Sequence, residues 1–422
     1  MALARRLPGR TIDIPTAKGR IVRSARNRER LRQHLTVLVE QVGPRPAGSP
    51  TNRTATDYLR AVLGELDVDI REAPFTTRWW EPTPCVLTYP DGRCIELLAN
   101  PFSRPGEVRG PVVRIESRSA VLEHPGGLDG AVVVLGPALG SQPVMPTSFP
   151  FFMPDEHREL ITALTALQPA AVLAESERHA SMPMFEDPEL AFPSLTVAPE
   201  VTRSLRDGNQ VHITVCGTTH LGHGITVSAR TGAATRRLAV SAHIDSKVTT
   251  PGAIDNAASV ATLLVLAETA SSDLGPVEFV FFNGEDHFDA CGQMAWLANT
   301  DLSEIVGAVN LDGAGVVGRR TGVTCLACPK PVEDLIARAG EEADWTSMPA
   351  WYESDHAIFA MRGIPAVAVT SENVHELLAS VAHTPADTLD LVDVDTLAGI
   401  VDTLRQLLPD LNATLRSPSG TH

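Results

Sequence analysis

No run of about 18 uninterrupted apolar residues occurs in the chain, so no membrane span is expected. The opening MALARRLPGRTIDIPTAKGRIVRSARNRERLRQHL is basic, but the apolar core of a secretory signal does not follow it. A cytoplasmic protein is the expected reading. Cysteine is sparse: six residues, Cys85, Cys94, Cys216, Cys291, Cys325 and Cys328, are scattered over 422 positions, which is no disulfide framework. Cys325-Leu-Ala-Cys328 has no second pair downstream, so core or strand cysteines are expected there rather than a zinc site. Positive charge is short as well. With 35 Lys and Arg against 51 Asp and Glu, the net charge of −16 excludes the basic face that a nucleic-acid partner needs.

What is present is ordinary globular composition, 43% hydrophobic and 20% charged. A chain of 422 residues exceeds one common core and implies two domains, or one domain carrying an insertion. Residues 1–24 read as a tail. Leu31, Leu35, Leu38 and Val39, then Leu59, Val62, Leu63 and Leu66, fall at helical spacing around the loop VGPRPAGSPTN, which gives two helices and a turn. Residues 76–216 are rich in Pro and Gly, with short β-type runs (GPVVRI, GAVVVLG, AAVLAE, VHITVC) and one helical stretch, EHRELITALTALQ. They read as an inserted β-rich domain with a helix or two. From residue 237 apolar strand-like runs alternate with helical ones: RLAVSA, ASVATLLVLAETA, VEFVFF, GQMAWLANT, IVGAVNL, VEDLIARAGEEA, IPAVAVT and DTLAGIVDTLRQLL. That alternation is the pattern of an α/β sandwich around a mixed, mostly parallel sheet.

In such sheets functional groups gather beyond the carboxyl ends of strands. Five segments place polar residues where apolar runs stop: His243 and Asp245 in AVSAHIDS, Asp255 in PGAIDNAAS, Glu285 and Asp286 in VFFNGED, Asp312 in AVNLDGAG, and His383 in SVAHTPADT. Singly, each has a plainer reading. Asp255 would cap a helix, and Asp312 would serve a turn before Gly313. Together they put several carboxylates and two imidazoles at one sheet edge. Carboxylates that close raise one another's pKa unless a divalent cation neutralises them. Imidazole with carboxylate suits zinc, and five ligands exceed one open tetrahedral site. One shared carboxylate with two further ligands per ion is the arithmetic of a two-metal centre.

The blocks HIDS, PGAIDNAAS, FFNGED, NLDG, SDHAIFAMRGIPA and HTPADT stand in an order and spacing that resembles the family-28 co-catalytic zinc metallopeptidases, the aminopeptidase and glutamate carboxypeptidase group. The match is strong over about 237–400 and weaker in RPAGSPTNRTATDYLRAVLGELDVDI. Residues 76–216 resemble a protease-associated (PA) insertion through LDGAVVVL, AAVLAE and FPSLTVAPEVTRSL. The resemblance implies a zinc-exopeptidase fold, a three-layer α/β sandwich, with a discontinuous peptidase domain over 25–75 and 217–415. It implies two zinc ions, one on His243 and Asp312, the other on Asp286 and His383, with Asp255 bridging. Asp245 would accept a hydrogen bond from the second ring nitrogen of His243. Glu285 would be the general base on a metal-bridging water. A cis peptide is implied after the bridging carboxylate, at Asp255–Asn256.

The sequence departs from that family pattern in two places. Glu-Asp stands where Glu-Glu is usual, and Ala382 stands where an aromatic is common. In WYESDH, Trp351 or Tyr352 would border the substrate, and Tyr352 could donate to an oxyanion. Glu353 or Glu372 would hold a free amino terminus. His287, His356 and His375 match no ligand position. The implied activity is peptide-bond hydrolysis by an aminopeptidase or dipeptidase. The alternatives are an amidohydrolase or carboxypeptidase with one dedicated N-acylated or acidic substrate, a glutaminyl-cyclase-like acyltransferase, or a non-catalytic receptor-like relative. The presence of all five ligands and the base weighs against the last two. The insertion would cover the site or carry a homo-oligomer contact.

Overall fold

The computed structural model describes residues 17–178, 182–269 and 274–416. Helix α1 (Ala17–Leu35) continues through a wider π-helical turn, Thr36–Val42, and a Gly/Pro loop leads to α2 (Pro50–Gly64). Of the expected tail, residues 1–16 lie outside the described residues, and Ala17 onward is helix. The first turns of α1 are basic and polar, so no apolar stripe announces them. Ser49 starts α2, its Oγ accepting the Asn52 N–H, with Pro50 in the first turn where no N–H is needed.

The chain then runs β1 (Asp69–Glu81), β2 (Cys85–Thr88), β3 (Cys94–Leu97), β4 (Gly106–Ile115), α3 (Arg118–Leu122), β5 (Val132–Leu135), α4 (Pro137–Gly140), α5 (Asp155–Leu167), β6 (Ala171–Glu175), β7 (Ser194–Val197), α6 (Pro199–Thr202) and β8 (Gln210–Val215). It re-enters the first layer with β9 (Thr218–Thr231), β10 (Arg237–His243), α7 (Ala258–Glu268), β11 (Val277–Phe282), α8 (Cys291–Ala298), β12 (Ile305–Leu311), β13 (Thr321–Leu326), α9 (Lys330–Ala343), β14 (Thr346–Ser347), α10 (His356–Ala360), β15 (Ala366–Ser371), α11 (Val374–Ser380) and α12 (Val394–Arg416).

Two sheets result. The larger has the order β1-β9-β11-β10-β12-β15-β13-β14. Its central pairings, β11–β10, β10–β12 and β12–β15, are parallel, while β1–β9, β9–β11 and β13–β15 are antiparallel. The parallel character is therefore confined to the middle and one edge pair, β13–β14. Leu31, Leu59, Leu263, Leu404 and their neighbours pack one face, and Phe282, Trp296, Ile358 and Phe359 the other. Helices on both faces make the three layers. Helix α7 is apolar all round because it is buried all round, between the sheet and helices α1 and α12. Each of its fully buried leucines, Leu263, Leu264 and Leu266, contributes about 1.5–3 kcal/mol by burial.

The second sheet, β3-β2-β8-β4-β5-β6-β7, is built from residues 85–215. Its β4–β7 part is parallel, with α3, α4 and α5 among the connections, so this unit is more mixed than β-rich. The break expected at residue 76 falls inside β1, which pairs with β9 along its whole length, Asp69 opposite Arg230 through Glu81 opposite Thr218. The inserted unit hangs from that long ribbon. Among the described residues no helix is long and apolar enough to cross a membrane.

Candidate metal centre

Parallel strands pointing the same way end at the same edge. His243 closes β10 opposite Phe282 of β11, and Asp312 follows Leu311, the last residue of β12. Gly284, at φ 98°, turns the chain after β11 so that Glu285 and Asp286 face the same spot. Asp255 sits in the π-helical turn Ala253–Ala257 that opens into α7, and the Asp255–Asn256 peptide is cis, as the resemblance implies. His383 follows α11, at φ 64°.

These residues form two groups that share Asp255: His243, Asp255 and Asp312, and Asp255, Asp286 and His383. Asp255 Oδ1 lies 3.2 Å from His243 Nε2, and its Oδ2 lies 3.1 Å from His383 Nε2. Asp312 Oδ1 is 3.6 Å from His243 Nε2, and Asp286 Oδ1 is 2.9 Å from His383 Nε2. One carboxylate therefore turns each oxygen to a different imidazole. The donors fit zinc on their own terms. His243 is 1% exposed, yet neither ring nitrogen meets a hydrogen-bond partner, and Asp286 Oδ2 is buried without one. Buried polar atoms are normally partnered, so orphans converging on one point suit ligation by a cation.

The charges of the cluster act strongly on one another. Burial opposes charge on His383, but Asp286 and Asp255 outweigh it and raise the imidazole to about 10. His243 is likewise raised well above its ordinary value, with Asp312, Asp245 and Asp255 overcoming burial. Burial works against the Asp255 carboxylate, yet the two imidazoles hold it far below the usual range. For Glu285 burial comes first. With the charges of Asp286, Asp312 and Asp355, against the pull of His243, it pushes the group well above an ordinary carboxylate. A carboxyl pushed upward in this way is suited to trading protons.

Asp245 does something other than expected. Its Oδ1 is 3.7 Å from His243 Nδ1, too long for a hydrogen bond. Instead its two oxygens accept the backbone N–H groups of Gly284, Glu285 and Asp286 at 2.7, 3.2 and 3.1 Å. It shapes the loop that carries Glu285 and Asp286. The strand order makes this natural, since β10 and β11 are neighbours and their following loops touch. Tyr352, a candidate oxyanion donor, is 56% exposed and does not line the cleft beside the cluster. Trp351 does line it, buried, its Nε1 donating to Glu353 at 3.3 Å. Glu372 pairs with Arg320 and is not part of that cleft.

Of the unassigned histidines, His356 Nε2 bonds the Trp351 carbonyl at 2.7 Å and His375 is exposed. His287 forms a further cluster with Asp289 and Cys291, but both of its nitrogens are taken, by Asp289 Oδ1 and the Arg78 carbonyl. Cys325 and Cys328, at the end of β13, join no such cluster among the described residues.

Several supports went unread in the sequence. Arg45 is fully buried and donates to the carbonyls of Ile244, Gly43, Pro251 and Gly252, tying the loops on either side of the centre. Asn52 and Asn283 exchange hydrogen bonds at 2.8 and 3.0 Å, joining α2 to the end of β11. Lys247 donates to the Asp286 carbonyl and to Glu186 Oε2 of the inserted unit at 2.5 and 2.7 Å. A lone Arg in GPRPAG is the one available signal among them, and its spacing does not say what it touches.

The cleft holds about 480 Å³. One wall is the cluster with Trp351, Val374, Leu377 and Ala382, and the other is the inserted unit, with Val144, Met145, Phe149, Met182 and Met184.

Residues 225–408 match the model of Peptidase family M28. An aminopeptidase from Aneurinibacillus sp. strain AM-1 superposes with a TM-score of 0.70 at 18% identity, covering 92% of this chain and 95% of that one. A zinc aminopeptidase from Bacillus subtilis gives 0.69 at 18% identity, with 90% and 94% covered. At that identity the likeness is one of fold, and it extends over the inserted unit as well. A vacuolar membrane protease from Clavispora lusitaniae is 38% identical over 84 residues, which is 19% of this chain and 8% of that protein. Residues 225–408 are thus similar to peptidase family M28, and the chain shares the zinc-exopeptidase fold of these aminopeptidases.

Proposed function

We propose that the protein is a zinc exopeptidase of the two-ion type, acting on short peptides as an aminopeptidase or dipeptidase. The observation that carries this is the placing of Asp255, with one oxygen toward His243 and the other toward His383. His243 and Asp312 would hold one ion, Asp286 and His383 the other, and Asp255 both. Bound zinc supplies Lewis acidity to the scissile carbonyl and to the attacking water. Glu285 takes the proton from that water and returns it to the departing amine, so the same carboxyl serves as base and then as acid. Asp245 keeps Glu285 in reach by holding the three N–H groups of its loop. Glu353, in the cleft wall, is the carboxylate offered to a free amino terminus. The same reading takes the unit over 85–215 as PA-like, its role being to wall the cleft.

The test is hydrolysis of a dipeptide panel by the zinc-loaded protein, each peptide with a free and with an acetylated amino terminus, with a chelator control. Cleavage of the free-amine set alone, abolished by chelator, is expected. Cleavage of the acetylated set would instead assign an amidohydrolase or carboxypeptidase.

A further inference from the structure

The two halves of the centre are held differently. His243 closes β10 and Asp312 follows β12, so the larger sheet itself sets both. Asp286 and His383 lie on loops, and side chains of the inserted unit reach the segments that carry them. Arg178, just beyond β6, donates from Nη2 to the Leu378 carbonyl at 2.8 Å, near the end of the helix α11 that leads to His383. The loop of Asp286 is held more fully. Phe288, two residues further on, is 3% exposed and belongs to the apolar core of the inserted unit, with Leu87, Phe102 and Ile213. Its ring meets that of Phe102 edge to face, with 4.8 Å between centroids. A loop of the larger sheet thus buries an aromatic in the core of the other unit, and aromatics carry a large share of the packing energy wherever they are buried.

The backbone of Asp286 is gripped from two sides. Its N–H donates to Asp245 Oδ2 at 3.1 Å, and its carbonyl accepts from Lys247 Nζ at 2.5 Å. Lys247 in turn pairs with Glu186 of the inserted unit at 2.7 Å, and both side chains are mostly buried, 18% and 15% exposed. A pair so far drawn out of water is little screened by salt, and losing one partner strands the other. His287, between Asp286 and Phe288, donates from Nε2 to the Arg78 carbonyl of β1 at 2.8 Å. These links use the backbone of Asp286 and leave its carboxylate turned to His383.

We propose that the inserted unit does more than wall the cleft: through Phe288 and the Glu186–Lys247 pair it positions Asp286, and with it one half of the metal centre. Phe288, Lys247 and Glu186 are then positioning residues, acting through the loop and not on the substrate. The inference rests on the two-ion reading for what that half holds, but the clamp itself can be read without metal. A slack loop weakens the ion held by Asp286 and His383, and leaves in place the ion held by His243 and Asp312, whose ligands the sheet fixes.

The experiment compares the full chain with two variants of unaltered net charge: Phe288→Ala, and Glu186→Gln combined with Lys247→Met. Removing both members of the ion pair together keeps a change of charge from mimicking a change of position. Zinc titration of the metal-free proteins by calorimetry should show two sites in the wild type. In each variant one site is expected to weaken about 10–100-fold, the weight of groups that orient a metal ligand, while the other keeps its affinity. In a His383→Ala background, which already lacks that half, the same changes should leave the remaining site unaltered. Equal weakening of both sites, or wild-type affinity at both, would overturn the proposal. Should Phe288→Ala unfold the inserted unit, the ion-pair variant, which leaves that core intact, carries the test. A wild-type protein that binds fewer than two ions would sink the two-ion reading instead. Hydrogen exchange of the metal-free proteins then decides the clamp. The amides of Gly284, Glu285 and Asp286 should exchange about tenfold faster in the variants, with β12 and α7 unchanged. Unchanged exchange in that loop, or exchange raised equally throughout the chain, would overturn it.

Discussion

The carboxylate of Asp387 accepts the backbone N–H of Asp255 at 3.0 Å and that of Ile254 at 2.7 Å. The residue that faces both imidazoles is thus held from behind by a second buried acid. Burial first, and then the charge of Asp255, raise Asp387 to about 7, against the pull of the two N–H groups and of Arg45. Asp387→Asn puts an amide where two donors converge, so one N–H loses its acceptor. Partners of this kind are worth about 10–100-fold in metal affinity. The expected outcome is a zinc affinity lower by that factor, read by competition with a chromogenic chelator.

Glu285 and Asp255 should separate cleanly. Glu285→Gln keeps the shape and removes the base, so zinc content should stay at the wild-type level while kcat falls by about 10²–10⁴. Asp255→Asn weakens both halves of the cluster, so zinc and activity should fall together. Metal analysis of the two purified variants, beside dipeptide turnover, decides it. A wild-type rate for Glu285→Gln would show that the base is another residue.

Arg45 is a structural cation with a distinct signature. Arg45→Met leaves the carbonyls of Ile244, Pro251 and Gly252 without their donor, and an orphaned buried group costs about 1–3 kcal/mol. A stability loss of at least that size is expected in urea unfolding of zinc-free protein. An unchanged midpoint would mean that water replaces the guanidinium.

Glu268, at the end of α7, gives a pH test far from the metal centre. Burial opposes its charge, but Arg30 and His34 outweigh burial and lower it to about 2. A depressed acid binds fewer protons folded than unfolded, so its contribution is complete above the ordinary carboxylate value, near 4.3, and is lost as pH falls towards about 2. Glu268→Gln should therefore be less stable than wild type at neutral pH. The gap should close between about pH 4.5 and 2, as followed by urea midpoints.

The α/β alternation after residue 237 was legible because strands buried on both faces read as continuous apolar runs. RLAVSA, VEFVFF, IVGAVNL and IPAVAVT lie in β10, β11, β12 and β15, and parallel order then forces the residues after them to one edge. The seven polar residues there could be named from the sequence for that reason. The sequence misled where the governing contact is distant. Asp245 follows the β10 strand and was matched to its neighbour His243, but the loop after β11 comes closer. Tyr352 and Trp351 are adjacent, and only packing decides that one enters the cleft. The boundary at 76 was drawn at a change of composition, whereas cross-strand hydrogen bonds carry β1 to Glu81.

Composition, periodicity and the order of the motifs determined which residues meet in the candidate centre, because each sits at a fixed offset from the end of a strand or helix. The tertiary structure alone decided what surrounds them. Arg45, Asp387, Lys247 and Arg178 act on groups tens to hundreds of positions away along the chain, or through a carbonyl, and local sequence holds no record of either. The shape of the cleft likewise arises where the units of the two sheets meet, a geometry set by packing between them rather than by any stretch of either.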